Sequence, residues 1–172
     1  MTELTSMQNI GKEMDKKDQN QGIAKMKIAI CYVSIHHGNT KKVVEGIKHG
    51  LDVDLFDVAK PGRLDLSDYE LIGFASGVFY NNLHKNIEKC ITETTFGENQ
   101  SVFLMATCGV PYRDYTKGAR ALLKEKNVAV AGSFQCRGYD TFGPFGKIGG
   151  IAKKHPNDAD IKRALDFVRS LI

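Results

Sequence analysis

Residues 27–40 read KIAICYVSIHHGNT, and the change of character along this stretch decides the fold. Ile28 to Val33 is a near-continuous apolar run, as expected of a strand buried on both faces of a parallel sheet. Ser34-Ile35-His36-His37-Gly38-Asn39-Thr40 is a short, mostly polar turn. Beyond it Val43, Val44 and Ile47 fall at helical spacing, which predicts a helix over about 39–49, with Gly50 placed for a left-handed C-cap. A strand that runs through a hydroxyl- and amide-bearing turn into a helix collects free N–H groups at the positive end of that helix. Such a turn is suited to holding a phosphate.

Outward from this unit, strand and helix patterns alternate. Strands are predicted over 51–58, 69–76, 101–107 and 128–134. Leu83, Ile87, Cys90 and Ile91 share one helical face, and a further helix over 116–126 carries Ala119, Leu122 and Leu123. The last helix opens at Asn157, a capping residue, with Asp158 and Asp160 in its first turn. Its inner face is Ile161, Ala164, Leu165, Val168 and Ile172. Residues 59–68, with Pro61-Gly62, are too short and broken for a full crossover helix. The alternation predicts an α/β fold, a doubly wound parallel sheet with helices on both faces. Residues 137–156, RGYDTFGPFGKIGGIAKKHP, resist a long helix because of five glycines and Pro144. The aromatics Tyr139, Phe142 and Phe145 are expected to be covered, in either a functional loop or a packed surface loop.

The length of 172 residues suits one domain, placed at 26–172, and residues 1–25 read as a polar, mobile N-terminal extension. No run of about 18 apolar residues exists, so no membrane span is expected. The first 25 residues lack an apolar signal core, and the expected compartment is cytoplasmic. Four cysteines without C-x-x-C spacing read as reduced thiols. The net charge of +4 includes no dense basic run, which argues against a nucleic-acid partner.

In an open α/β sheet, ligands sit at the carboxyl ends of the strands. Three predicted segments lie there. The first is the turn Ser34 to Thr40, with His36, His37, Gly38 and Asn39. The second is Ser76-Gly77-Val78-Phe79-Tyr80-Asn81-Asn82, and the third Thr107-Cys108-Gly109-Val110-Pro111-Tyr112. The first turn lacks the Walker string and the Gly-x-Gly-x-x-Gly string, so neither triphosphate hydrolysis nor dinucleotide binding is indicated. No Cys-x5-Arg occurs, and the first strand does not end in acidic residues, which sets aside a small phosphatase and a phospho-acceptor domain. A phosphate anchor beside aromatic loops suits a flat ring with a phosphorylated tail. His36 and His37 lack a carboxylate partner and are poor candidates for metal ligands. His84 reads as a capping or helix-surface residue, and Cys108 as a small residue or a redox thiol.

On these residues the chain resembles the flavodoxin family over about 26–172. The family signature is a hydroxyl residue followed by Thr-Gly-Asn-Thr after the first strand; here Gly38-Asn39-Thr40 is intact and His37 stands at the usual threonine. Ile35 lies three before Gly38, so Ser34 would have to provide the hydroxyl from a loop one residue longer. The resemblance implies five strands in the order 2-1-3-4-5 and FMN as cofactor. It implies cofactor contacts from Ser34, His36, His37, Gly38, Asn39 and Thr40. The later loops would add Gly77, Val78, Phe79, Tyr80, Asn81, Asn82, Thr107, Cys108, Gly109 and Tyr112. Asn81 occupies the place of a glycine whose peptide meets flavin N5, and asparagine tolerates positive φ better than other non-glycine residues. The implied function is electron transfer with a redox partner protein. The alternatives are an FMN-dependent oxidoreductase of a small substrate, such as a quinone or porphyrinogen, and a cofactor-free interaction module. Carriers of this family are usually strongly acidic, whereas this chain is at +4.

Overall fold

The first strand, β1 (Ile28–Val33), is buried at every position. Its side chains alternate between two cores, Ala29, Cys31 and Val33 on one side and Ile28, Ile30 and Tyr32 on the other. Burial on both faces requires helices on both, and the chain provides them. The computed structural model describes residues 26–172, so the reading of 1–25 lies outside the described residues. Strands β2 (Asp54–Asp57), β3 (Leu71–Phe79), β5 (Ser101–Cys108) and β6 (Ala129–Arg137) join β1 in a sheet ordered β2-β1-β3-β5-β6. All four pairings along that path are parallel. The expected five-strand order is therefore present, with one addition: β4 (Asn82–Leu83) pairs antiparallel with the end of β3.

Helices α1 (Asn39–Gly50) and α5 (Asp158–Arg169) cover one face through Val43, Val44, Ile47, Ala164 and Val168. Helices α2 (Lys85–Glu93) and α3 (Lys117–Glu125) cover the other through Ile87, Ile91, Ala119 and Leu123. A Cβ on Gly46 would overlap the Ile161 side chain, so that glycine sets how closely α1 and α5 pack. Gly50 is not the left-handed cap its position predicts. Leu51 caps α1 in extended conformation, its N–H donating to Ile47 O at 2.9 Å, and Gly50 instead lies against Leu165.

Other differences concern where elements begin and end. The second strand is shorter than expected, because only 54–57 pair with β1. Leu83 belongs to β4 and not to the following helix, though it is buried in the same core. Ile172, expected on the inner face of the last helix, is 56% exposed beyond its end. Asn157 does cap α5: its side chain accepts from the Asp160 N–H, and the Asp160 carboxylate accepts from the Asn157 N–H, both at 3.0 Å. The β2–β3 connection contains no helix. Leu66 buries into the core and Gln100 Nε2 donates to the carbonyls of Leu66 and Tyr69, pinning the connection as a strap. No helix among the described residues is long and apolar enough to cross a membrane.

Candidate functional site at the strand ends

Strand order reverses between β1 and β3, and the loops that leave these strands flank that switch point. After Val33 the chain turns through two consecutive left-handed residues, His37 at φ 57° and Gly38 at φ 69°. Gly38 is the N-cap of α1 and has no side chain to cap it. Helix geometry leaves the N–H groups of Asn39, Thr40 and Lys41 without carbonyl partners. Ser34 Oγ takes the Lys41 N–H at 3.1 Å, which leaves the serine proton free to donate outward. A helix start of this kind attracts an anion through its dipole and its remaining amides.

The side chains of this turn are already engaged with neighbours. Thr40 is buried, and its hydroxyl pairs with that of Thr107 at 2.9 Å, tying the first turn to the end of β5. Asn39 Nδ2 donates to Tyr139 O at 2.8 Å, and Gly138 has no side chain to obstruct it; a Cβ there would lie 2.7 Å from that nitrogen. The His37 ring lies 4.3 Å from that of Tyr139, and its Nε2 is 2.9 Å from Thr141 Oγ1. These contacts hold a non-glycine residue in a backbone region it rarely adopts. Lys42 Nζ donates to Pro156 O at 2.7 Å, adding a further tie to residues 137–156.

The second segment is a hairpin and not an irregular loop. Gly77, Val78 and Phe79 continue β3, Asn82 opens β4, and Tyr80 and Asn81 form the turn at φ 49° and 67°. Positive φ at both central residues is the type I′ geometry that suits the twist of a two-residue hairpin. Phe79 bridges two imidazoles, 5.8 Å from His36 and 4.7 Å from His84 between ring centres. His84 caps α2 with Nδ1 accepting from the Asn86 N–H at 3.1 Å, as its position predicts. Its own N–H donates to Ser76 Oγ at 2.8 Å. Burial first, then the Lys85 charge and the neighbouring His36 ring, hold this imidazole below its ordinary pKa.

In the third segment Thr107 and Cys108 end β5, and Gly109 admits Asp140, whose Oδ2 lies 2.5 Å from where a Cβ would be. Cys108 is buried, its Sγ facing Cys136 O at 3.6 Å. Burial, with the Asp140 charge adding to it, pushes the thiol up to about 11, so it is not a poised thiolate. All four cysteines are free. Tyr112 stands out from the loop with the Arg113 guanidinium 4.5 Å from its ring centre.

The structure thus brings Ser34, His37, Gly38, Asn39, Thr40 and Thr107 into one cluster, and links His36 to the β3 end through Phe79. Sequence reasoning did not place Tyr139, Thr141 and Phe142 at this site. The glycine- and aromatic-rich composition of 137–156 signals an unusual segment but not its contact with the first turn. That segment is closed at its base by an antiparallel bridge between Asp140 and Ile151, and includes a short helix α4 (Pro144–Lys147). The expectation that Phe142 is covered fails: it is 74% exposed, its ring edge toward Tyr80 with centres 6.5 Å apart. Among the described residues, eight large hydrophobic side chains are exposed. Six of them lie on the strand-end segments: Ile35, Tyr80, Val110, Tyr112, Phe142 and Ile148. A concavity of about 1600 Å³ lies elsewhere, between the strap 58–70, α2 and the loop 94–100.

A helix start open to an anion beside the switch point of a doubly wound sheet is the ligand-binding architecture of α/β proteins. The family follows from comparison with known proteins. The family model described as a flavodoxin domain matches residues 29–142, and the chain belongs to the flavodoxin family. An uncharacterized protein of Methanocaldococcus jannaschii is 38% identical over 149 residues, covering 86% of this chain and 99% of its own. Among solved structures, a flavodoxin from the domain Archaea aligns at TM-score 0.57 and 18% identity, covering 84% of this chain and 98% of its own. A variant flavodoxin from Fusobacterium nucleatum, bound to flavin mononucleotide, aligns at TM-score 0.56 and 16% identity, covering 85% of this chain and 95% of its own.

Proposed function

We propose that this protein binds FMN at the strand-end site and carries electrons to or from a partner protein. The observation that carries the reading is the start of α1 at Gly38, where the Asn39 and Thr40 amides have no side-chain cap, beside adjacent strand ends bearing the exposed Tyr80 and Tyr112. The residues fit the group. The amides of Asn39 and Thr40 and the free proton of Ser34 would hold a phosphate monoester through neutral donors and the helix dipole. Tyr80 and Tyr112 would flank a flat ring, and the Tyr80–Asn81 peptide would meet its central edge. His37, fixed by Tyr139 and Thr141, replaces the family threonine as the residue that shapes the turn. When bound, FMN supplies a ring that takes up and returns one or two electrons. Exposure of Tyr80 (89%), Tyr112 (63%) and Phe142 (74%) favours contact with another protein over a walled substrate pocket.

The test is reconstitution of the full chain with FMN and with riboflavin. FMN is expected to bind with a visible flavin spectrum, and at least about tenfold more tightly than riboflavin, since only FMN reaches the helix start. Absence of a flavin spectrum would end the cofactor reading, and equal affinities would end the phosphate assignment. Steady turnover of NAD(P)H with a quinone would favour the oxidoreductase alternative.

A further inference from the structure

The net charge of the chain is concentrated around this site. Residues 109–117 and 137–156 contain Arg113, Lys117, Arg137, Lys147, Lys153 and Lys154 against only Asp114 and Asp140. Their balance of +4 equals that of the whole chain, so the rest of the sequence is neutral overall. All six cations are exposed. The two carboxylates are engaged locally: Asp114 accepts from the Thr116 N–H at 2.9 Å and faces Arg120 at 3.7 Å, and Asp140 accepts from the Phe142 N–H at 2.8 Å. Arg113 is held at the rim by its stack on Tyr112. The exposed apolar side chains Val110, Tyr112, Phe142 and Ile148 belong to these two basic segments, and the Phe142 ring edge meets Tyr80 of the β3 hairpin with centres 6.5 Å apart.

An apolar centre bordered by charge of one sign is the anatomy of a protein docking surface, in which the charges steer the encounter and the centre holds the complex. We infer that this face docks a small acidic redox protein, the opposite polarity to the acidic carriers this family is known for. The inference rests on the carrier reading above. Docking would serve the passage of one electron between the flavin and the partner's metal centre, one oxidised as the other is reduced, with no covalent bond changed. A nucleic acid fits less well: the exposed Ile35, Val110 and Ile148 neither stack on bases nor meet phosphates.

The test measures binding of the full chain, with and without FMN, to an acidic plant-type [2Fe–2S] ferredoxin, with basic cytochrome c as the counter-probe. Affinity for ferredoxin should fall about tenfold or more between about 20 and 200 mM salt, and by a similar factor in K147E/K153E/K154E. The neutral set K147Q/K153Q/K154Q should fall part of the way, and thermal melts of both variants check folding. The inference is overturned if both sets leave ferredoxin binding unchanged or if cytochrome c binds as tightly. It is also overturned if a single-stranded oligodeoxynucleotide or a phosphatidylserine vesicle binds more tightly than ferredoxin. Charge-dependent ferredoxin binding by a protein that takes up no FMN would remove the carrier reading and leave the docking surface standing.

Discussion

At the β1 end of the site, polar side chains are already tied to neighbours: Asn39 to Tyr139 O, Thr40 to Thr107, Ser34 to the Lys41 N–H, and His37 to Thr141. At the β3 and β5 ends the large side chains stand in solvent, Tyr80 at 89% and Tyr112 at 63% exposure. The two ends do different physical work. A phosphate placed by neutral donors needs those donors fixed beforehand, because any ordering left until binding subtracts from affinity. A flat ring offered to a second protein needs an open edge, and contacts there contribute area with little rigidity. The same sheet provides both because its loops differ: the first turn is braced by residues 138–141, whereas the hairpin at 80–81 projects past the strand ends.

The largest expected effect follows from loosening the braced end. Asn39→Ala removes the bond to Tyr139 O and leaves that carbonyl short of a donor, costing about 1–2 kcal/mol of stability in urea titration. FMN affinity should fall about tenfold, and riboflavin affinity should change little, because only the phosphate reads this turn. Equal losses for the two ligands would mean that the turn positions the ring as well, and the contrast between the ends would collapse.

Much of this contrast is invisible in the sequence. The apolar run of β1 and the helical spacing after it are local signals, and the strand, the turn and the helix after it were legible from them. The order of the five parallel strands came with the family resemblance, because strand order is not a local property. The hairpin was not legible. The strand predicted over 69–76 stops at Ser76, yet β3 runs on to Phe79, with Val78 paired to Leu83 and Phe79 to Asn82. Tyrosine also rarely takes the positive φ that Tyr80 adopts at 49°, so Tyr80-Asn81 carries no type I′ signature. The brace was equally hidden. Asn39 and Tyr139 are 100 residues apart, and nothing local to either names the other. Gly50 misled for a related reason: its missing side chain serves a helix contact with Leu165, which periodicity cannot separate from a cap.

A smaller effect is expected at the seam between the ends, where Phe79 lies between His36 and His84. His84 Nδ1 must stay unprotonated to accept the Asn86 N–H, and burial with nearby positive charge lowers its pKa in the folded state. The unfolded chain therefore binds that proton first. The stabilisation is whole above the ordinary histidine value of about 6.5 and is lost as pH falls through the lower folded value. His84→Asn keeps a capping side chain and removes the titration, so its urea midpoint should vary less between about pH 7.5 and 5. An unchanged slope would place the acid sensitivity elsewhere and free His84 from any part in joining the two ends.

The smallest effect on stability belongs to Tyr80→Ala. The side chain is 89% exposed, and alanine shares the restriction to φ that tyrosine already violates in this turn, so backbone strain is nearly unchanged. Stability should stay within about 0.5 kcal/mol of the parent. Glycine would be a poorer choice, because relief of the positive φ would mask whatever the ring contributes. Affinity for FMN and for riboflavin should fall by the same factor, about three- to tenfold, since a stacked tyrosine meets the ring that the two ligands share. That pattern is the reverse of the one expected for Asn39→Ala. A loss confined to FMN would put Tyr80 on the phosphate side and show that the open end of the site is not where the ring lies.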